Sequence, residues 1–170
     1  PVSARYGGKW DRNWGSIGYY VEHVQNWNGG SGNSEDAYAG AGAGSRNWSL
    51  WRYGADLSYQ VTDAWTLTGR LRGQQAGDQL IPGEQFGLGG AYSVRGFRER
   101  EAAGDDAWQA SLELWAPGPT PGLRPLLFVD AGHRYSKANG ASEDIASIGA
   151  GLRWTLRNRL DLGIDYARDR

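Results

Sequence analysis

Cysteine and methionine are both absent from the 170 residues. Without cysteine there is no disulfide framework and no thiolate metal site. Neither sign of charge dominates: 18 Lys and Arg face 19 Asp and Glu, a net charge of -1, so no field points to a nucleic-acid partner. No run of 18 apolar residues occurs, which excludes a transmembrane helix. No basic segment leads into a short apolar one, as a secretory signal requires. His23 and His133 are the 2 histidines, and a lone pair of this kind does not make a metal site. There is no Gly-x-Ser-x-Gly nucleophile elbow. The residues therefore lead us to expect no catalytic constellation, metal or cofactor. A chain that begins at Pro1 and contains no Met reads as a mature piece or a fragment.

What is present is glycine and large aromatics: 27 Gly, 9 Trp and 9 Tyr, against 3 Phe. The apolar residues recur with period two, and helical spacing is missing almost everywhere. Trp51, Tyr53, Ala55, Leu57, Tyr59 and Val61 alternate with Arg52, Gly54, Asp56, Ser58 and Gln60. The same pattern runs through residues 65–72, 108–114, 123–132, 148–154 and 160–166, and more weakly through about 2–8 and 14–26, making eight expected strands. Low mean hydropathy does not argue against a membrane, because half of each barrel strand faces a polar lumen.

The connections alternate in length. Short ones are expected near Lys9–Asn13, Thr62–Ala64, Pro117–Gly122 and Arg157–Asn158, and long ones at Trp27–Asn47, Gly77–Asp105 and Ser136–Asp144. Short turns on one side and long loops on the other are the pattern of outer-membrane barrels. One strand face is apolar and the other carries Arg52, Asp56, Arg70, Arg72, Glu113, Arg124, Asp130, Arg153, Asp161 and Asp165. Parity alone does not say which face points inward. The aromatics favour charge inside: Trp48 and Trp108 flank long loops and Trp65 and Trp154 flank short turns, as belts at two membrane interfaces would. The expected fold is all-β, a transmembrane antiparallel β-barrel, with residues 1–170 forming a single barrel domain of which this is a part. A complete eight-stranded barrel is the alternative, but its interior is just wide enough for side chains and could not also hold the loop at 77–105.

That loop carries Gly89-Gly90 and then Val94-Arg95-Gly96-Phe97. Asp130, in Phe128-Val129-Asp130-Ala131-Gly132, and Glu113, in Leu112-Glu113-Leu114, share the charged parity of neighbouring strands. If that parity is the lumen, a loop folded inward can place Arg95 between the two carboxylates. A planar guanidinium can bond both at once. The run Arg98-Glu99-Arg100-Glu101 reads as solvated or lumen-exposed beside the loop tip. Gly40-Ala41-Gly42-Ala43-Gly44-Ser45 reads as an external loop, since no hydrophobic strand precedes it as a phosphate-binding loop needs. His133 and Asp130 are separated by an odd number of strand positions and so face opposite ways.

These motifs, in this order, resemble the two-partner secretion transporters (the TpsB family) within the superfamily of POTRA-bearing translocators and barrel-assembly insertases. The Glu84-Gln85-Phe86-x-Leu88-Gly89-Gly90 approach is more similar to the transporters than to the insertases. The resemblance implies a C-terminal portion of a barrel of roughly sixteen strands, with residues 77–105 folded into the lumen. It assigns Val94, Arg95, Gly96 and Phe97 to the loop tip and Asp130 and Glu113 to the acids that meet Arg95. Gly89, Gly90, Phe128 and Gly132 become supporting motif positions. It further implies location in the bacterial outer membrane among its lipids, no enzymatic activity, and a large secreted exoprotein as substrate, driven by folding outside rather than by ATP. Barrel assembly is the alternative activity.

Overall fold

The computed structural model describes residues 1–27, 33–42, 44–156 and 160–169. Eight long strands form one antiparallel sheet: β1 (Val2–Arg12), β2 (Gly15–Gln25), β3 (Ser49–Gln60), β4 (Thr66–Ala76), β7 (Asp106–Trp115), β8 (Leu123–Tyr135), β9 (Ser142–Leu156) and β10 (Leu160–Asp169). Two short strands, β5 (Phe86–Leu88) and β6 (Ala102–Gly104), pair with each other in the loop between β4 and β7. In the large sheet each strand pairs with its sequence neighbours, in the order β1-β2-β3-β4-β7-β8-β9-β10. Among the described residues β1 and β10 are free edges. The sheet does not close on itself, so it is the wall of a larger barrel and not an eight-stranded one. Strands of 10 to 15 residues rise about 33–50 Å, enough to cross ~30 Å of hydrocarbon when tilted.

Exposure resolves the parity. On β8, Leu127 is 62% and Val129 51% exposed, whereas Phe128 is 2% and Asp130 0% exposed. On β10, Ile164 and Tyr166 are 73% and 74% exposed. A water-soluble fold buries the aliphatic side and hydrates the charges. This sheet does the reverse, so its apolar side meets lipid and its charged side is the lumen. Trp10, Trp65, Trp108 and Trp154 all stand exposed, and Trp10 stacks on Tyr19 with ring centroids 5.0 Å apart.

Trp48 departs from the expected aromatic belt. It is 1% exposed and packs with Val24, Leu50, Ala76 and Leu80. It precedes β3 with the parity of Leu50 and so points inward, beneath the outer loops. A second inward cluster joins Leu88, Val94, Ala102 and Ile145, with Phe86 and Phe97 packed against it. The hydrophobic interior thus lies between the sheet and its loops.

The connections depart from expectation in three places. The first long one contains a helical turn, α1 (Glu35–Gly40), capped by Ser34, whose Oγ accepts from the Ala37 amide at 3.2 Å. Asn26 ties this loop down by donating to the Tyr38 hydroxyl and the Arg46 carbonyl. Such a short helix is held by its cap and by tertiary contacts, so no periodic pattern announces it. The connection expected at Ser136–Asp144 is shorter, because the β8–β9 ladder continues to Tyr135↔Ser142. The first turn is tighter than Lys9–Asn13, because β1 runs on to Arg12. The turn expected at Arg157–Asn158 lies outside the described residues, as does part of the Gly40–Ser45 stretch.

Candidate functional site

The loop at 77–105 is organised from its neck. Phe86 and Leu88 pair with Gly104 and Ala102, and the hairpin packs against β7 and β8. Beyond the neck the chain turns through Gly89 and Gly90, at φ 98° and 101°. This region is closed to most side-chain-bearing residues. The Gly90 amide donates to the Phe97 carbonyl at 3.2 Å, and the Gly89 amide donates to Ser93 Oγ at 3.1 Å. These bonds close a small turn whose tip is Val94-Arg95-Gly96-Phe97. Val94 is fully buried and Phe97 packs beside it.

Arg95 is 6% exposed and spans three strands of the wall. Its Nε donates to Asp130 Oδ2 at 2.7 Å and its Nη2 to Asp130 Oδ1 at 2.8 Å, a bidentate fork. The backbone amide of Arg95 also donates to Asp130 Oδ2, at 3.1 Å. Nη1 meets Glu113 Oε1 at 2.8 Å on β7, and Nη2 donates to Ser111 Oγ at 3.1 Å. The guanidinium lies over the Phe128 ring, 3.5 Å from its centroid. Phe128 can lie flat there because Gly149 on the adjacent strand has no side chain: a Cβ would come 2.3 Å from the ring. Gly132 similarly admits Leu88, whose methyl carbons a Cβ would meet at 3.0 Å and 3.2 Å.

Burial disfavours the charged guanidinium, but the hydrogen bonds and charges of Asp130 and then Glu113 outweigh it, holding the pKa above the ordinary arginine value. Arg95 is therefore a permanent cation. Charge-assisted forks of this kind are about twice as strong as neutral hydrogen bonds.

The structure brings together Arg95, Glu113, Asp130 and Phe128, with Gly132 beneath the loop neck. A third carboxylate joins them that the sequence reading did not single out. Asp165 on β10 lies 3.7 Å from Arg95 Nη1 and forms a fork with Arg153 at 2.7 Å and 2.8 Å. Both had the charged parity, but parity does not reveal which charges share a level; that depends on the register of β8, β9 and β10. Trp115 points inward and donates to Glu113 Oε2 at 3.0 Å, and Thr68 donates to the same oxygen at 3.3 Å. Two guanidiniums and three carboxylates thus make one network.

A second anchor left no signal in the sequence. Asp105 is fully buried at the end of the loop. Its carboxylate accepts from the Leu80 amide at 2.8 Å, Gln85 Nε2 at 3.2 Å and the Lys137 amide at 2.7 Å. It joins both ends of the loop to the β8–β9 turn. Of the charged run, Arg100 donates to the carbonyls of Pro82 and Gln85, and Glu101 accepts from the Arg98 amide. His133 faces outward, paired with Asp144 at 2.8 Å and away from Asp130. The described residues hold no cluster of His, Cys, Asp and Glu suited to a metal ion.

A β-meander with lipid on one side and a charged, loop-filled lumen on the other defines an outer-membrane barrel wall. The chain belongs to the haemolysin secretion/activation family ShlB/FhaC/HecB, which matches it over residues 14–154; these are transporters of the two-partner secretion type, in the bacterial outer membrane. It is 34% identical over 114 residues to the outer membrane transporter CdiB of Dickeya dadantii (strain 3937), a match covering 64% of this chain and 20% of that protein. The chain therefore spans about a fifth of that relative's length. Among solved structures it resembles CdiB from Acinetobacter baumannii, with a TM-score of 0.69 and 19% identity over 99% of this chain and 30% of that one. BamA from Haemophilus ducreyi, solved without POTRA domains 1-3, gives a TM-score of 0.62 and 18% identity over 91% of this chain and 38% of that one. At these identities the structural likenesses show the fold alone.

Proposed function

We propose that this chain forms part of the wall and the inner loop of a pore that passes a large, unfolded secreted protein across the outer membrane. The observation that carries this reading is Arg95, buried on the loop and forked to Asp130 with Glu113 as second acid. The network positions a loop inside an aqueous channel, and covalent chemistry is not its role. The opposed charges along the lumen hydrate it without offering an extended chain one strong site, and passage needs contacts weak enough to release. Transport draws on folding of the cargo outside. Family membership favours export over barrel assembly, which has only the fold likeness to BamA behind it.

Arg95→Ala in the full-length transporter tests the role of the network. Secretion should fall sharply while the barrel remains inserted and keeps its heat-modifiable gel mobility. Normal secretion by an inserted Arg95→Ala barrel would remove the loop tip from the mechanism.

A further inference from the structure

Tyr92 stands two residues before the buried Val94 and is 87% exposed, although the turn that carries it is fixed. The Ser93 amide donates to the Gly90 carbonyl at 3.2 Å, and the Ser93 hydroxyl bonds to Gln109. The ring therefore stands out from a rigid support. It borders a lumenal cavity of about 410 Å³ together with Arg70, Gln109, Trp115 and Arg153, a size within the range of ligand-binding clefts.

Three groups on this cavity have unused donor capacity among the described residues. The Tyr92 hydroxyl makes no hydrogen bond. Gln109 accepts from Ser93 through its oxygen, which leaves its amide nitrogen free. Arg70 makes no hydrogen bond and has only a loose approach to Asp56, at 3.8 Å, with its side chain 52% exposed. The other charges nearby are engaged: Arg153 with Asp165, and Glu113 with Arg95.

We propose that Tyr92, with Arg70 and Gln109, forms a contact station for the polypeptide in transit. The donors match the backbone carbonyls that an extended, unfolded chain presents at every residue. The ring adds a sequence-tolerant apolar surface with a polar tip. An aromatic on a fixed loop loses little conformational freedom on each encounter. The contact suits many successive segments and holds none of them. This proposal rests on the export reading and names a part of its path.

The test uses the full-length transporter with its exoprotein stalled in transit by a folded domain fused behind the export segment. A photo-crosslinking residue, p-benzoylphenylalanine, is placed at Tyr92, at Arg70, or at lipid-facing Tyr166. Tyr92 should yield a transporter–exoprotein adduct that depends on the stalled substrate, and Tyr166 should yield none. An adduct from Arg70 with none from Tyr92, or a Tyr92 adduct confined to the barrel's own wall, overturns the station while leaving the export reading intact. No exoprotein adduct from either lumenal position, with secretion proceeding, likewise overturns the station, whereas a full-length, inserted transporter that neither secretes the exoprotein nor holds it stalled overturns the export reading itself. In parallel, Tyr92→Ala should lower secretion by roughly fivefold or more, the scale of losing one aromatic anchor, and Tyr92→Phe should recover most of it. Unchanged secretion by an inserted Tyr92→Ala barrel also sinks the proposal.

Discussion

Replacing Asp130 by asparagine removes one charge and almost no volume. Asp130 is fully buried and accepts three bonds from Arg95, two from the guanidinium and one from the backbone. A unit charge at about 4 Å contributes roughly 4 kcal/mol at an effective dielectric near 20, before desolvation. Stranding one partner of a buried pair costs about 3–5 kcal/mol. Glu113 remains at 2.8 Å, and the new amide oxygen can still accept a bond, so the low end applies, about 3 kcal/mol. At 1.4 kcal/mol per factor of ten, that raises the ratio of released to held loop about 150-fold. A tip free for about 0.1% of the time would then be free for more than 10%. The absence of cysteine from this chain allows spin labels at Ala91→Cys and Thr120→Cys to report the distance from the loop tip to the β7–β8 turn. The unaltered site should give one narrow distribution. With Asp130→Asn a second, broad population should appear. Identical distributions would show that the loop is held by packing around Val94 and Phe97 and not by charge.

Glu113→Gln should release the loop less than Asp130→Asn, because Glu113 is 20% exposed and makes one ion pair with Arg95; the same labels rank the two. Because the Arg95 pKa is raised in the folded protein, its stabilisation is fully present below the ordinary arginine value and is lost only as the pH rises through the still higher folded one. Raising the pH to about 10 should therefore leave the distance distribution unchanged. Asp105→Asn puts an amide donor where three donors converge, at a cost of about 1–3 kcal/mol; limited proteolysis should cut the segment at 77–85 faster while Arg95 stays in place. Trp48→Ala should destabilise the barrel by about 3–5 kcal/mol in detergent unfolding, and the lipid-facing Trp154→Ala should do so by less.

Period-two alternation made the eight strands and their two faces legible, because lipid and lumen impose opposite chemistry on successive residues. It also put Glu113 and Asp130 on one face of adjacent strands, where a single inward loop could reach both. The remainder depended on depth and register, which parity does not encode. Asp165 meets Arg95 because β8, β9 and β10 are aligned at that level. Trp48 has an interfacial residue type but lies within the layer covered by the loops. Asp105 is an ordinary loop-end acid until the fold brings three donors around it. The helical turn at Glu35–Gly40 is too short to show a period.

The neck formed by Phe86–Leu88 and Ala102–Gly104 makes the tip a self-contained cassette. The backbone bonds that shape the turn lie between Leu88 and Ala102, with Arg100 reaching back across the neck to the carbonyls of Pro82 and Gln85, so the reach of Arg95 is set there and not by how much chain leads up to Pro82. Lengthening the approach by a few residues near Asp78, ahead of the carbonyls that Arg100 engages, should be absorbed outside the neck. The thirteen residues Gly89–Glu101 could be grafted as a block between barrels of this design, provided the recipient wall offers the same acids, the same flat ring and the bare strand position beneath it.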